Sequence, residues 1–304
     1  MKNLPFVSVI VPVFNDCKRL KLCLAALFKQ TYGRDHFEII VVDNGKNEGI
    51  EDVVSCFINI ILVKEPKPGS YSARNKGILS SKGGIFAFTD SDCIPSKGWI
   101  ENGVKMFLMT DHCGLVAGDI KYCFRDDKGP KLIELCDTIL YTMNQEVLVL
   151  LRRADGANIF TSREVIDKIG MFNEALKSGG DDELAFRVYQ HGYQHVYASN
   201  ARVLHFAKDS FRGLLGRAIR FAGAEYSASK FSKNTISGLS QLESFGLFSR
   251  TKQFIGNLRN GVFKNDRVRS PFLMLPLVLL VQIIISLFKC FEYVRLAFGK
   301  EPSR

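Results

Sequence analysis

Paired cysteines are missing from this 304-residue chain. Its eight cysteines are scattered at 17, 23, 56, 93, 113, 123, 136 and 290, without a CxxC pair or a zinc-type spacing. That excludes a disulfide scaffold and fits reduced thiols in a cytosolic setting. The N-terminal stretch MKNLPFVSVIVPVF lacks a charged region leading into a long apolar run and a cleavage site, so no secretory signal is expected. Walker A and GxGxxG loops are absent, which removes support for an ATPase or a simple dehydrogenase. A GxSxG elbow is absent too, which argues against a serine hydrolase. His191 and His195 are four apart, but Gly192 breaks the helix they would need and no HExxH glutamate accompanies them, so a zinc-protease reading fails. There is no internal repeat and no low-complexity tract.

What is present is ordinary in bulk and uneven in place. The chain is 46% apolar and 24% charged, enough for a sizeable core without staples. Its net charge is +10, yet residues 1–204 hold 25 basic and 25 acidic side chains. Residues 205–304 hold 16 basic and 6 acidic ones and so supply the whole excess. A neutral body with a basic C-terminal third suits an anionic partner such as a lipid surface or a phosphorylated substrate. No helix-turn-helix, zinc-finger or RNA-recognition pattern accompanies the charge, so nucleic acid is not expected as a partner.

The hydrophobic pattern predicts an α/β fold. Phe6–Phe14, Phe37–Val42, Ile58–Val63 and Ile85–Thr89 read as buried strands. Helices are expected over 17–30, 48–57 and 71–81. Such alternation implies right-handed crossovers and a mostly parallel central sheet with helices on both faces. Ligands of these sheets bind beyond the strands' carboxyl ends. Asn15-Asp16, Asp43-Asn44 and Asp90-Ser91-Asp92 all follow strands and are expected to converge. Further along, the pattern predicts a helix near 98–109, one helix over 131–150, a strand at 157–162, a short helix over 182–191, and strand–turn–strand over 195–206.

Ser270 to Phe288 contains 19 residues without a charge. As a helix that is about 28 Å long, close to the roughly 30 Å of a bilayer's hydrocarbon. Basic residues flank both ends, and Pro271, Pro276 and Gln282 interrupt the run. Membrane insertion or deep monotopic attachment is expected, with a buried core or dimer helix as the alternative. The expected organisation is 1–210 catalytic, 211–269 a basic helical extension, and 270–304 a membrane-associated helix with a basic tail.

Three local patterns carry chemistry. In FTDSD (88–92), two carboxylates one residue apart after a buried strand can chelate a divalent ion, Mg²⁺ or Mn²⁺, or bridge it to a diphosphate. A turn or helix cap is the plainer explanation. In GSYSARNKG (69–77), small residues open a helix beside Arg74, Asn75 and Lys76, which suits an anionic ligand or simply a capped surface helix. In SGGDDEL (178–184), two glycines precede three acids at a helix start. One acid can accept a proton from an alcohol nucleophile, or all three can complement the helix terminus.

Taken in order, these segments resemble the family 2 glycosyltransferases of the GT-A fold. The matching pieces are VSVIVPVFND (7–16), VVDNG (41–45), PGSYSARNKGI (68–78), FTDSDCIP (88–95), ADGANIFTSREVIDKIGMFNE (154–174), SGGDDELAFRV (178–188) and ARVLHF (201–206). The resemblance spans about residues 5–210 and implies a GT-A nucleotide-diphospho-sugar transferase fold. It implies that Pro12, Val13 and Asn15 line the base pocket, that Asp43 binds the base, typically uracil, and that Asn44 stands beside it. Arg74 and Asn75 would face ribose and diphosphate, with Ser91 in the same donor site. Asp90 and Asp92 would form the DxD motif, Asp92 the more direct metal ligand, with His205 as a further ligand. Gly156, Ala157 and Asn158 would border donor sugar and acceptor. Asp181 would be the general base, although Gly180-Asp181 stands where many relatives carry Glu-Asp.

The implied reaction is inverting transfer of a sugar from a nucleotide-sugar donor, a UDP-sugar, with a divalent metal. The acceptor would be a hydroxyl of a glycan or polyprenyl-lipid-linked molecule. The absent QxxRW motif favours one sugar per encounter. Cell-surface polysaccharide synthesis on the cytoplasmic face of a membrane is the implied setting. Arg212, Arg217 and Arg220 fall near helical spacing and either touch lipid phosphates or form a solvated face. The competing readings are a membrane-anchored, non-catalytic scaffold of the same fold and a nucleotidyltransferase.

Overall fold

A computed structural model describes residues 4–46, 48–126, 129–233, 255–263, 268 and 271–300. Much of the expected 211–269 extension lies outside the described residues. The chain divides into two compact units. The first comprises residues 1–121 and 143–205, the second 122–142 and 206–304.

The first unit is built on β1 (Val7–Val13), β2 (Phe37–Asp43), β3 (Ile60–Lys64) and β4 (Ile85–Thr89). These pair in parallel in the order β3-β2-β1-β4. Their near-continuous apolar runs follow from burial on both faces. Val7, Val9, Val11 and Val13 join one core cluster with Leu20, Leu24 and Leu27 of α1 (Cys17–Leu27). Ile10, Ile40 and Val42 point the other way, to Ala73 and Ile78 of α3 (Ser70–Leu79); α2 is Ile50–Ser55. The α3 backbone lies so close to β1 that a Cβ at Gly77 would stand 2.4 Å from Ile10.

Beyond β4 the sheet changes sense. After β5 (Cys93–Pro95), α4 (Trp99–Met109) and β6 (Cys113–Cys123), the strand β7 (Asn158–Ser162) runs antiparallel to both β4 and β6. The last strand, β8 (Gln194–Phe206), pairs antiparallel with β5. The sheet is therefore mixed, with order β3-β2-β1-β4-β7-β6-β8-β5. Residues 195–206 belong to one strand rather than strand–turn–strand. Its middle carbonyls are satisfied sideways: Ser96 N donates to Arg202 O, and the side chains of Asn102 and Asn158 donate to Asn200 O and Ala201 O. A turn there would orphan these groups.

The single helix expected over 131–150 is two, α5 (Leu132–Leu140) and α6 (Gln145–Leu150). Asn144 restarts the helix by accepting from Val147 N at 3.2 Å. Then come α7 (Arg163–Ile169) and α8 (Gly180–Gln190). The second unit contains α5, α9 (Phe211–Lys233) and α10 (Pro271–Ala297). Its core joins Leu135, Cys136 and Ile139 of α5 to Leu214 and Ala218 of α9 and to Val278, Val281 and Ile285 of α10.

Candidate active site

Parallel pairing sets the carboxyl ends of β1, β2 and β4 side by side. Val13 is level with Asp43, and Ile10 with Phe88, so the segments after Val13, Asp43 and Thr89 leave the sheet together. Pro12 is half-buried and Val13 buried at the β1 end. Asn15 takes a left-handed φ of 52° and accepts from Lys46 N at 3.0 Å, which ties the β1 exit to the β2 exit. Asp43 is buried and accepts from Gly45 N.

Asn44 follows Asp43 at the β2 exit, and its side chain is engaged with the loop before α3. Its amide nitrogen donates to Glu65 O and Lys67 O, and its Oδ1 accepts from Gly69 N. It clamps the loop that opens α3. Asn75 is likewise committed. It donates to Phe172 O and Glu174 Oε1 and accepts from Phe172 N, so its side chain serves the 172–174 loop. Asn158 is wholly buried, accepts from Trp99 Nε1 at 2.8 Å and donates to Asp119 O and Ala201 O. It holds the sheet together and does not border an open site.

Arg74 stands at the centre. It is 4% exposed and donates to Asp90 Oδ1 at 2.6 Å. Burial works against its charge, but Asp90 and then Asp181 outweigh it, and the guanidinium's pKa is raised. The guanidinium lies 5.8 Å from the ring centroid of Phe172 and 5.9 Å from that of Tyr71. Its Nε is buried with no hydrogen-bond partner. A Cβ at Gly156 would sit 3.0 Å from Arg74 Nη2, so glycine there permits the close approach.

Asp181 closes the other side. Its Oδ2 accepts from Gly156 N at 2.8 Å and its Oδ1 from Tyr71 Oη at 3.1 Å. Tyr71 Oη also accepts from Gly180 N, so one phenol fixes the start of α8. Burial, followed by Asp181, holds the Tyr71 proton on well above the usual phenol range. The two acids that follow face cations: Asp182 accepts from Arg153 at 2.6 Å, and Glu183 pairs with Arg187 one helical turn on. Tyr71 escaped the sequence reading. Its signal was the i, i+3 spacing to Arg74, which puts both on one helix face.

The pairing of β5 with β8 brings Cys93 level with His205 across 112 positions. His205 Nε2 then lies 3.6 Å from Asp92 Oδ1, both groups largely buried, while the Asp90 side chain is 31% exposed. Ser91 is buried between the two acids. Asp92, Cys93 and His205 offer ligand atoms within 4.8 Å of one another. Burial, with Asp92 and Asp90 nearby, drives the Cys93 thiol well above its ordinary pKa. Asp92 and His205 offer a carboxylate and an imidazole, and the Asp90 carboxylate, two residues before Asp92, faces Arg74. That donor set fits Mg²⁺ or Mn²⁺. A cavity of about 430 Å³ lined by Arg34, Glu38 and Ile60 lies at the opposite strand ends and contains none of these acids.

A family model described as "Glycosyl transferase family 2" matches residues 8–170, which include the β1, β2 and β4 exits and Arg74. The chain belongs to this family. It is 34% identical over 223 residues to glycosyltransferase AglE of Haloferax volcanii, covering 72% of each chain. It is 27% identical over 209 residues to the probable glycosyltransferase YdaM of Bacillus subtilis, covering 64% of this chain and 49% of that one. Among solved structures, it is similar to the mannosyltransferase PcManGT from Pyrobaculum calidifontis, whose structure is a complex with GDP-Man and Mn²⁺. The TM-score is 0.67, with 19% identity over 99% of this chain and 89% of that one. GalNAc-T7, solved with UDP, GalNAc and Mn²⁺, gives a TM-score of 0.54, with 15% identity over 75% of this chain and 52% of that one. The family 2 glycosyltransferase reading and the GT-A fold are thereby established for this chain, and its activity is glycosyl transfer.

Proposed function

We propose that the chain moves one sugar from a nucleotide-diphosphate donor, a UDP-sugar, to a hydroxyl of a glycan or polyprenyl-lipid-linked acceptor, with inversion. The observation that carries the reading is Arg74 buried between Asp90 and Asp181, with an unpartnered Nε. A buried donor without a partner costs about 1–3 kcal/mol, which a diphosphate oxygen would relieve. Pro12, Val13, Asn15 and Asp43 receive the base, and Ser91 lies along the diphosphate. Asn44 and Asn75 act indirectly by shaping the loops around that site.

Asp92 and His205, with Asp90 beside them, would hold a divalent ion, Mn²⁺ or Mg²⁺. Such an ion supplies Lewis-acid stabilisation to the departing diphosphate. Asp181 takes the proton of the acceptor hydroxyl as that oxygen attacks the anomeric carbon. Gly156 N–H aims Oδ2, while Tyr71 O–H and Asp182 N–H both hold Oδ1, so Oδ2 is the oxygen that keeps a lone pair for the incoming proton. Asp182 and Glu183 are engaged by arginines, which favours Asp181 as the base. The proposed setting is the cytoplasmic face of a membrane, in cell-surface polysaccharide synthesis.

The test is a panel of UDP-, GDP- and dTDP-sugars with Mn²⁺ or Mg²⁺ on the detergent-solubilised protein. Metal-dependent release of UDP, lost in Asp92→Ala, is expected. Release of GDP instead would replace the donor assignment. If no nucleotide binds by calorimetry, the catalytic reading fails and a scaffold remains.

A further inference from the structure

Helix α10 carries no charge from Phe272 to Phe288, and among its described residues the buried ones follow one stripe. Val278, Val281 and Ile285 are buried against α5 and α9, and the stripe continues through Glu292 and Leu296. Tyr293 meets Tyr226 of α9 with ring centroids 6.4 Å apart. The docked length from Val278 to Tyr293 is about 22 Å of helix. The opposite side is open: Phe272, Leu287 and Phe291 are 80%, 66% and 68% exposed, and Leu280, Ile283 and Val294 share that face. A large contiguous apolar face of this kind marks a site of contact with membrane or protein.

The helix is long and apolar enough to cross a bilayer. Its neighbours are not. Cys136 of α5 and Ala218 of α9 belong to the same core as the stripe, and the residues beside them in sequence, Asp137 and Arg217, form a buried ion pair at 2.8 Å. Arg217 is thus buried against Asp137, and its side chain takes neither of the two places open to it from the sequence, a lipid phosphate contact or a solvated helix face. Exposed Arg212 and Arg220 lie on the same α9. A transmembrane α10 would draw the helices packed along it, with their charged groups, toward the hydrocarbon, where charges are rare and costly. Lying flat, α10 gives its open face to acyl chains while α5 and α9 stay in the headgroup region, where the basic residues meet anionic lipid.

We propose that α10 lies in the plane of an anionic bilayer, immersed in one leaflet and not crossing it. This deepens the membrane setting proposed above and rests on it. The chain's C-terminus then remains on the membrane side that carries the sheet unit.

The test uses the full-length protein carrying Lys300→Cys, bound to sealed vesicles of phosphatidylcholine and phosphatidylglycerol. A membrane-impermeant maleimide is added, and the labelled peptides are identified by mass spectrometry. Exposed Cys56 reports the side that carries the sheet unit. Labelling without detergent is expected both at Cys56 and at the thiol introduced by Lys300→Cys. If that introduced thiol is labelled only after detergent, the helix spans and the proposal is overturned, as it is by failure to bind the vesicles at all. Binding is expected to be about tenfold or more tighter than to pure phosphatidylcholine. Leu287→Glu with Phe291→Glu on the open face should weaken it at least as much, and unchanged binding in that variant counts against the open face. UDP-sugar hydrolysis measured on the same samples reports the catalytic reading separately, so either can fail alone.

Discussion

Two buried arginine–aspartate pairs, one in each unit, differ in what surrounds them. Arg217–Asp137 in the helical unit is closed: the carboxylate is fully buried, accepts from Lys208 N, and shares Arg217 with Tyr122 Oη. Arg74–Asp90 in the sheet unit is open: its carboxylate is 31% exposed and its guanidinium keeps an unpartnered Nε. A closed pair joins elements, whereas an open pair can receive a ligand. The same residue types thus serve packing in one unit and chemistry in the other, and hydrogen-bond completeness separates the two roles.

The comparison breaks most visibly at Arg74. Arg74→Ala should lower donor affinity and turnover together, with a combined loss of about 10²-fold or more in kcat/KM. An active variant would show that the open pair binds nothing. Arg217→Ala should instead cost about 3–5 kcal/mol of stability by stranding Asp137, measured by denaturant unfolding. The double replacement Arg217→Met with Asp137→Leu should recover most of that loss, because apolar side chains of similar volume need no partner. Recovery by the same strategy at Arg74 and Asp90 would restore folding without activity.

A third buried group sharpens the contrast. His195 has both ring nitrogens unpartnered, and burial, with Arg152 nearby, lowers its pKa to about 4. The unfolded chain therefore binds a proton near pH 6.5 that the folded chain refuses. Stability is complete above pH 6.5 and falls as pH drops toward 4, by about 3 kcal/mol. His195→Leu should flatten that difference in melting curves at pH 7 and 4, and an unchanged slope would rule His195 out as its source. Smallest of the four is Gly156→Ala. Its Cβ would press on Arg74 Nη2 at 3.0 Å, which should raise the donor KM a few-fold and change stability by less than about 1 kcal/mol. An unchanged KM would mean that Arg74 yields freely.

Much of the site was legible in the sequence because strand ends carry polar residues directly after apolar runs. Asp43, Asp90 and Asp92 sit where the apolar runs stop, and parallel pairing gathers such stops. The antiparallel half was less legible. Nothing local in residues 157–206 states which neighbour a strand will take, and Asn200 resembles a turn residue until the Asn102 side chain of α4 is seen to donate to its carbonyl. The resemblance sets Asn44, Asn75 and Asn158 around the donor. Their amides also donate to backbone carbonyls 21 to 97 positions away, a demand that only the fold reveals.

The proton-accepting role of Asp181 is the central claim, and Asp181→Asn beside Asp182→Asn tests it most directly, with donor affinity by calorimetry and sugar transfer measured on the same samples. Asp181→Asn should bind donor within a few-fold of the parent and lose about 10²–10⁴-fold in turnover, while Asp182→Asn keeps turnover and loses stability through Arg153. Full turnover in Asp181→Asn together with collapse in Asp182→Asn would move the base one residue along the helix and contradict the account.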